Sequence, residues 1–87
     1  MDAKNKFYNE LVAMLRSDHV PDLLGWMAAH GSSVILNWGE DNNQWECSWI
    51  TGGNRFTAVR ARIVDSIKDV LGSVRNEMLE SWARDWE

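Results

Sequence analysis

The chain has one cysteine, one proline, and no apolar run that approaches the length of a membrane span. A single cysteine excludes an internal disulfide framework and a multi-cysteine zinc site. No charged-then-apolar leader opens the sequence, so the expected setting is a reducing cytoplasm without membrane attachment. Basic residues are also scarce, 9 against 13 acidic, for a formal net charge of −4. That balance argues against a duplex nucleic-acid binder working by general electrostatics, which needs a basic surface. Catalytic motifs are missing too. There is no nucleophile elbow, no phosphate-cradling glycine loop and no metal-ligand spacing. The expectation is a protein that is not an enzyme and that uses no cofactor and no metal.

What remains is an ordinary globular composition, 45% hydrophobic and 25% charged over 87 residues. It fits one domain spanning residues 1–87. A domain this small is marginal unless its core is dense or it oligomerises. Six tryptophans (Trp26, Trp38, Trp45, Trp49, Trp82 and Trp86) supply the density.

Residues 3–16 read as a helix, with Phe7, Leu11, Met14 and Leu15 forming one apolar stripe. Asp18, His19 and Pro21 interrupt the pattern. Pro21 suits the first turn of a second helix that runs to about His30, with Leu23, Leu24, Met27 and Ala28 inward. Gly31 is expected to stop that helix, and His30 sits where the helix dipole favours a cation.

From Ser32 the period becomes two. Val34, Leu36 and Trp38 alternate on one strand, Trp45, Cys47 and Trp49 on the next, and Phe56 and Ala58 on a third. Gly39 to Asn43 marks one turn, and Gly52-Gly53 marks a tight second one. A two-residue loop at Gly52-Gly53 pairs Thr51 with Asn54, Trp49 with Phe56 and Cys47 with Ala58. The other turn pairs Trp38 with Trp45, Leu36 with Cys47 and Val34 with Trp49. Both turns put every apolar alternate on the same face, and a one-residue slip would scatter them. The aromatic row could stack nucleobases on an open sheet, but it shares its face with all the strand aliphatics and so reads as core.

The last third is helical, with Ile63, Ile67, Val70, Leu71, Val74, Met78, Trp82 and Trp86 in a drifting stripe. A 25-residue helix is about 38 Å long, and a compact domain of this size is only about 30 Å across. The helix therefore either bends near Gly72-Ser73 or overhangs the sheet. An overhang leaves Met78, Leu79, Trp82 and Trp86 in need of a partner, with Met78, Trp82 and Trp86 as hydrophobic anchors. The fold class is α+β, α(α)βββα, a three-stranded antiparallel meander covered on one face by helices.

The two histidines, with Asp18 and Asp22, lack third and fourth ligands at metal spacing and read as turn and surface residues. Cys47 falls on the inward face of the central strand and reads as a small buried hydrophobe. Arg55, Arg60 and Arg62 form the only basic cluster. Acidity is uneven: residues 1–52 carry seven acidic and three basic side chains, and residues 53–87 carry six of each. Glu40 and Asp41 occupy a hairpin loop, whereas Asp65, Asp69 and Glu80 share a helix face with Glu77 nearby. These six carboxylates are the candidate partner-binding residues, facing a protein with a basic surface.

The element order α-β-β-β-α over about residues 3–82 is similar to the double-stranded RNA-binding domain. Members of that family carry a lysine-rich start to the last helix. The matching stretch here, Arg60-Ala61-Arg62-Ile63-Val64-Asp65-Ser66, keeps two arginines but adds Asp65 and then Asp69. RNA binding through Arg55, Arg60 and Arg62 is thus an alternative rather than the main expectation. In size, acidic loops, βββα meander and lack of catalytic residues, the whole chain also resembles small acidic inhibitors that phages encode, including anti-CRISPR proteins. That resemblance implies occlusion of a nucleic-acid- or subunit-binding surface of a larger complex in the host cytoplasm. A homodimeric adaptor joined through the C-terminal helix is a further alternative.

Overall fold

A computed structural model describes the backbone of residues 3–85 and the side chains of residues 5–81. Three helices and three strands follow in the order α1 (Ala3–Leu15), α2 (Val20–Ala29), β1 (Ser33–Gly39), β2 (Gln44–Thr51), β3 (Asn54–Arg60) and α3 (Ile63–Asp85). This is an α+β fold around an antiparallel sheet of order β1-β2-β3.

The register follows from the alternation and the turns. Val34 faces Trp49, Leu36 faces Cys47 and Trp38 faces Trp45. Across the second hairpin Cys47 faces Ala58, Trp49 faces Phe56 and Thr51 faces Asn54. Gly52 and Gly53 both take positive φ, 60° and 79°, the backbone that a two-residue hairpin turn demands. At the other turn Asn43 takes φ 52°, and the Asn42 side chain accepts the Gln44 N–H at 3.2 Å.

One sheet face meets the helices. Cys47 and Trp49 are fully buried there with Leu11 of α1, Leu23 and Met27 of α2, and Ile67, Val70 and Leu71 of α3. Trp49 carries the join between layers, because its indole N–H donates to the Met27 carbonyl at 2.9 Å. The Thr51 hydroxyl donates to the His30 carbonyl at 2.8 Å, and Ser32 N–H donates to the Ile50 carbonyl at 2.8 Å. At the far end of β2, Ser66 Oγ donates to the Trp45 carbonyl at 2.7 Å and pins the first turn of α3. The opposite sheet face is open: Ile35, Asn37, Arg55 and Thr57 are exposed on it. Ser48 is buried on that face, where its hydroxyl hydrogen-bonds Thr57 at 3.0 Å.

Three expectations change. Gly31 does not stop α2 by adopting positive φ. A Cβ there would lie 2.3 Å from Trp49 Nε1 and 2.5 Å from the Ile50 carbonyl oxygen, so close approach is what requires glycine. Ala28 is exposed, and half-buried Trp26 takes the inward place, stacked between Phe7 at 5.2 Å and His30 at 4.5 Å. Trp38 has the expected facing but is 46% exposed, because the helices do not reach the end of β1. It rests against Trp45 at 5.2 Å between ring centroids.

Helix α3 runs through Gly72 and Ser73 as one element, and the Ser73 hydroxyl donates to the Asp69 carbonyl at 3.0 Å. Its 23 residues span about 35 Å, and the molecule measures 45 × 25 × 22 Å. Burial along α3 ends with Val74 and half-buried Met78, after which Leu79 is 42% exposed. The helix is thus unbroken at Gly72-Ser73, and of the residues an overhang would expose, Leu79 is exposed and Met78 is not. The side chains of Trp82 and Trp86 lie outside the described residues.

Candidate functional site

The hairpin between β1 and β2 holds Glu40 and Asp41 at its tip, both exposed. The turn is not slack. The Asn42–Gln44 bond and the left-handed Asn43 close it, and the Trp38–Trp45 indole pair lies at its base. The Ser66–Trp45 bond brings the start of α3 to the same end of the sheet. Asp65, exposed in the first turn of α3, therefore belongs to this end.

The other predicted carboxylates separate from these. Asp69 is half-buried and pairs with the Arg60 guanidinium across the β3–α3 corner. That neutralises one member of the helix row. Glu77 and Glu80 are exposed near the opposite end of the sheet. Glu77 borders a groove of about 190 Å³ lined by Phe7, Phe56, Val74 and Met78 beside the Gly52-Gly53 turn. The structure thus places Glu40, Asp41 and Asp65 at one end of the sheet and leaves Glu77 and Glu80 toward the other. Met78 packs against the core rather than projecting. The exposed large hydrophobics among the described residues are Ile35, Trp38 and Leu79. Trp38 was missed as a surface residue because its alternation matches that of the core residues on its strand.

The basic cluster is mostly committed within the fold. Arg60 holds Asp69, and Arg55 Nη2 donates to Ser48 Oγ at 3.4 Å. A cleft of about 620 Å³ between β3 and α3 is lined by Arg60, Lys68, Asp69, Ser73, Arg75 and Asn76. Its lysine reaches away to Asp18, 2.9 Å from the carboxylate. That hydrogen bond and the ammonium charge hold the Asp18 carboxyl below the usual carboxylate range. The pair therefore favours the fold above that range, and its contribution fades as falling pH protonates Asp18. His19 Nδ1 lies 3.0 Å from the Asp22 carboxylate, within the turn. Among the described residues, no three His, Cys, Asp or Glu side chains gather as a metal ion would require.

Cys47 is fully inaccessible, and burial pushes its thiol up to about 11. A protonated, enclosed thiol is a poor nucleophile. Native protein is expected to leave Cys47 unmodified by a disulfide reagent at pH 8, with full reaction once denaturant is added. The raised value also has a stability consequence. The unfolded chain ionises first as pH climbs from the ordinary thiol value, so stability falls over that alkaline window. Rapid native labelling would show that the central strand opens.

Comparison with protein-family models, curated proteins and solved structures gives no match to this chain.

Proposed function

We propose that this protein is a non-catalytic binding module that meets a basic surface on a larger protein through the acidic end of its sheet. Glu40, Asp41 and Asp65 form the contact. The observation that carries the reading is the exposed acidic hairpin, with no cation of its own fold paired to either carboxylate among the described residues. Asp18, Asp22 and Asp69 are by contrast each engaged by a cationic group or histidine. Opposite charge on a loop held at the end of the sheet speeds encounter and selects the partner's basic patch. The same patch on a nucleic-acid-handling complex grips phosphates, so occupying it inhibits, as the phage-inhibitor resemblance implies. Such an inhibitor acts in the host cytoplasm. The RNA-binding alternative is less well supported, because Arg60 is paired with Asp69, Arg55 leans on Ser48 and exposed Arg62 stands beside acidic Asp65.

Capture of partners from a bacterial lysate tests the proposal, comparing wild type with the double variant Glu40→Lys, Asp41→Lys. The variant is expected to lose the wild-type partner, and wild-type capture is expected to weaken with added salt. Equal capture by both proteins removes the hairpin from the contact.

A further inference from the structure

The two edges of the sheet are unlike. Edge strand β3, Asn-Arg-Phe-Thr-Ala-Val-Arg, carries Arg55 and Arg60, and the polar side chains of α3 stand beside it along the 620 Å³ cleft. Charges of this kind block strand addition. Edge strand β1, Ser-Val-Ile-Leu-Asn-Trp-Gly, has no charge and no proline over seven residues. It also holds two of the three exposed large hydrophobics among the described residues, Ile35 at 43% and Trp38 at 46%. An edge that is long, apolar and unguarded invites pairing.

The backbone groups that this edge presents follow from the register. A two-residue turn closes on a hydrogen-bonded pair, so Thr51 and Asn54 exchange both bonds. Alternation then points Trp45, Cys47, Trp49 and Thr51 toward β3, and Gln44, Glu46, Ser48 and Ile50 toward β1. The Ile50 carbonyl accepts the Ser32 N–H just before β1, so it is directed to the β1 side as that alternation requires. On β1, Ser33, Ile35, Asn37 and Gly39 bond inward to β2. Val34, Leu36 and Trp38 are left with N–H and C=O directed outward, and no hydrogen bond from the described residues reaches them.

We infer that β1 pairs with β1 of a second copy, antiparallel, about a two-fold axis through Leu36. The outward residues are symmetric about Leu36, so Leu36 meets its own counterpart, and Val34 meets Trp38 of the second copy in both directions. About six backbone hydrogen bonds close the gap. The three strands of each copy become one continuous six-stranded sheet. The small Val34 side chain opposite the half-open indole gives a large-on-small pair on the helix-covered face. Charge selects the antiparallel sense. It sends the Glu40–Asp41 turn of each copy toward the His30–Ser32 corner of the other, whereas a parallel pair would lay two acidic turns side by side. The dimer displays an acidic turn at each end of the shared interface. This inference goes beyond the partner-binding proposal, and either can fail alone.

Sedimentation equilibrium and amide hydrogen exchange over a range of concentrations test it. An edge contact is small, so association in the micromolar range or weaker is expected. Wild type should reach the dimer mass as concentration rises. The Val34, Leu36 and Trp38 amides should gain protection in step, while Ile35 and Asn37 are protected throughout. Trp38→Pro removes an outward donor and should stay monomeric with an unchanged far-ultraviolet circular dichroism spectrum. Trp38→Lys, which leaves the backbone intact, should weaken association about tenfold or more. A chain that stays monomeric up to its solubility limit overturns the inference. So does a dimer whose Val34, Leu36 and Trp38 amides exchange freely, as one joined through α3 would show.

Discussion

Replacing Trp49 with alanine is expected to cost about 3–5 kcal/mol of folding stability, the loss typical for deleting a buried large aromatic. A chain of this length has roughly 4–13 kcal/mol in total, so the variant should sit close to its unfolding threshold. The reason is positional. Trp49 is fully buried on the central strand, and it touches the Trp26 ring at 5.9 Å between centroids. Its N–H satisfies the Met27 carbonyl in the last turn of α2. Alanine removes the packing and one of that carbonyl's two donors together, leaving only the His30 N–H on it. Phenylalanine keeps much of the packing and loses only the donor, so Trp49→Phe should cost about 1–3 kcal/mol. Urea unfolding followed by far-ultraviolet circular dichroism separates the two. Equal losses for both variants would show that the indole N–H, not the bulk, carries the join.

Gly31→Ala is the smallest change with a large expected consequence, roughly 2–4 kcal/mol, from one added methyl group. The new Cβ would press on Trp49 Nε1 and on the Ile50 carbonyl oxygen. Relief requires the α2–β1 corner to lift off β2, which strains the Trp49–Met27 and Ser32–Ile50 bonds. The clash with the ring nitrogen predicts coupling. In a Trp49→Phe background the same substitution should cost less by about 0.5 kcal/mol or more, whereas the backbone clash with Ile50 should persist. Strict additivity in that double-mutant cycle would show that the corner yields in another direction. A cost within a few tenths of a kcal/mol for Gly31→Ala alone would mean that the corner is not close-packed.

The sheet could be read from the sequence because two independent local rules agreed. Strict alternation from Val34 to Ala58 fixed which residues share a face, and Gly52-Gly53 fixed where the chain reverses. Strand register is a short-range property, so it survives without knowledge of the rest. The limits of cover are not. Whether Trp38 is core or surface depends on how far the helices extend over β1, and nothing near Trp38 in the chain encodes that. Gly31 was legible as a break, but its cause lies in Trp49 and Ile50, eighteen and more positions away. The carboxylates show the same division. Helical spacing placed Asp65, Asp69 and Glu80 on one face, yet Arg60 withdraws Asp69. The length of α3 carries Glu80 to the opposite end of the sheet from the hairpin. Periodicity reports direction around a helix axis and is silent about which ends of the fold meet.

That separation of acidic groups gives the functional proposal its sharpest test. Two charge-reversed proteins of equal net charge, Glu40→Lys with Asp41→Lys and Glu77→Lys with Glu80→Lys, can be compared for binding to the partner that wild type captures. Total charge is matched, so only the location of the change differs. Near-complete loss of binding is expected for the hairpin pair and near wild-type binding for the helix pair. Equal weakening by both would mean that net charge alone drives association. Loss confined to the Glu77, Glu80 protein would move the contact to the far end of α3 and contradict the assignment.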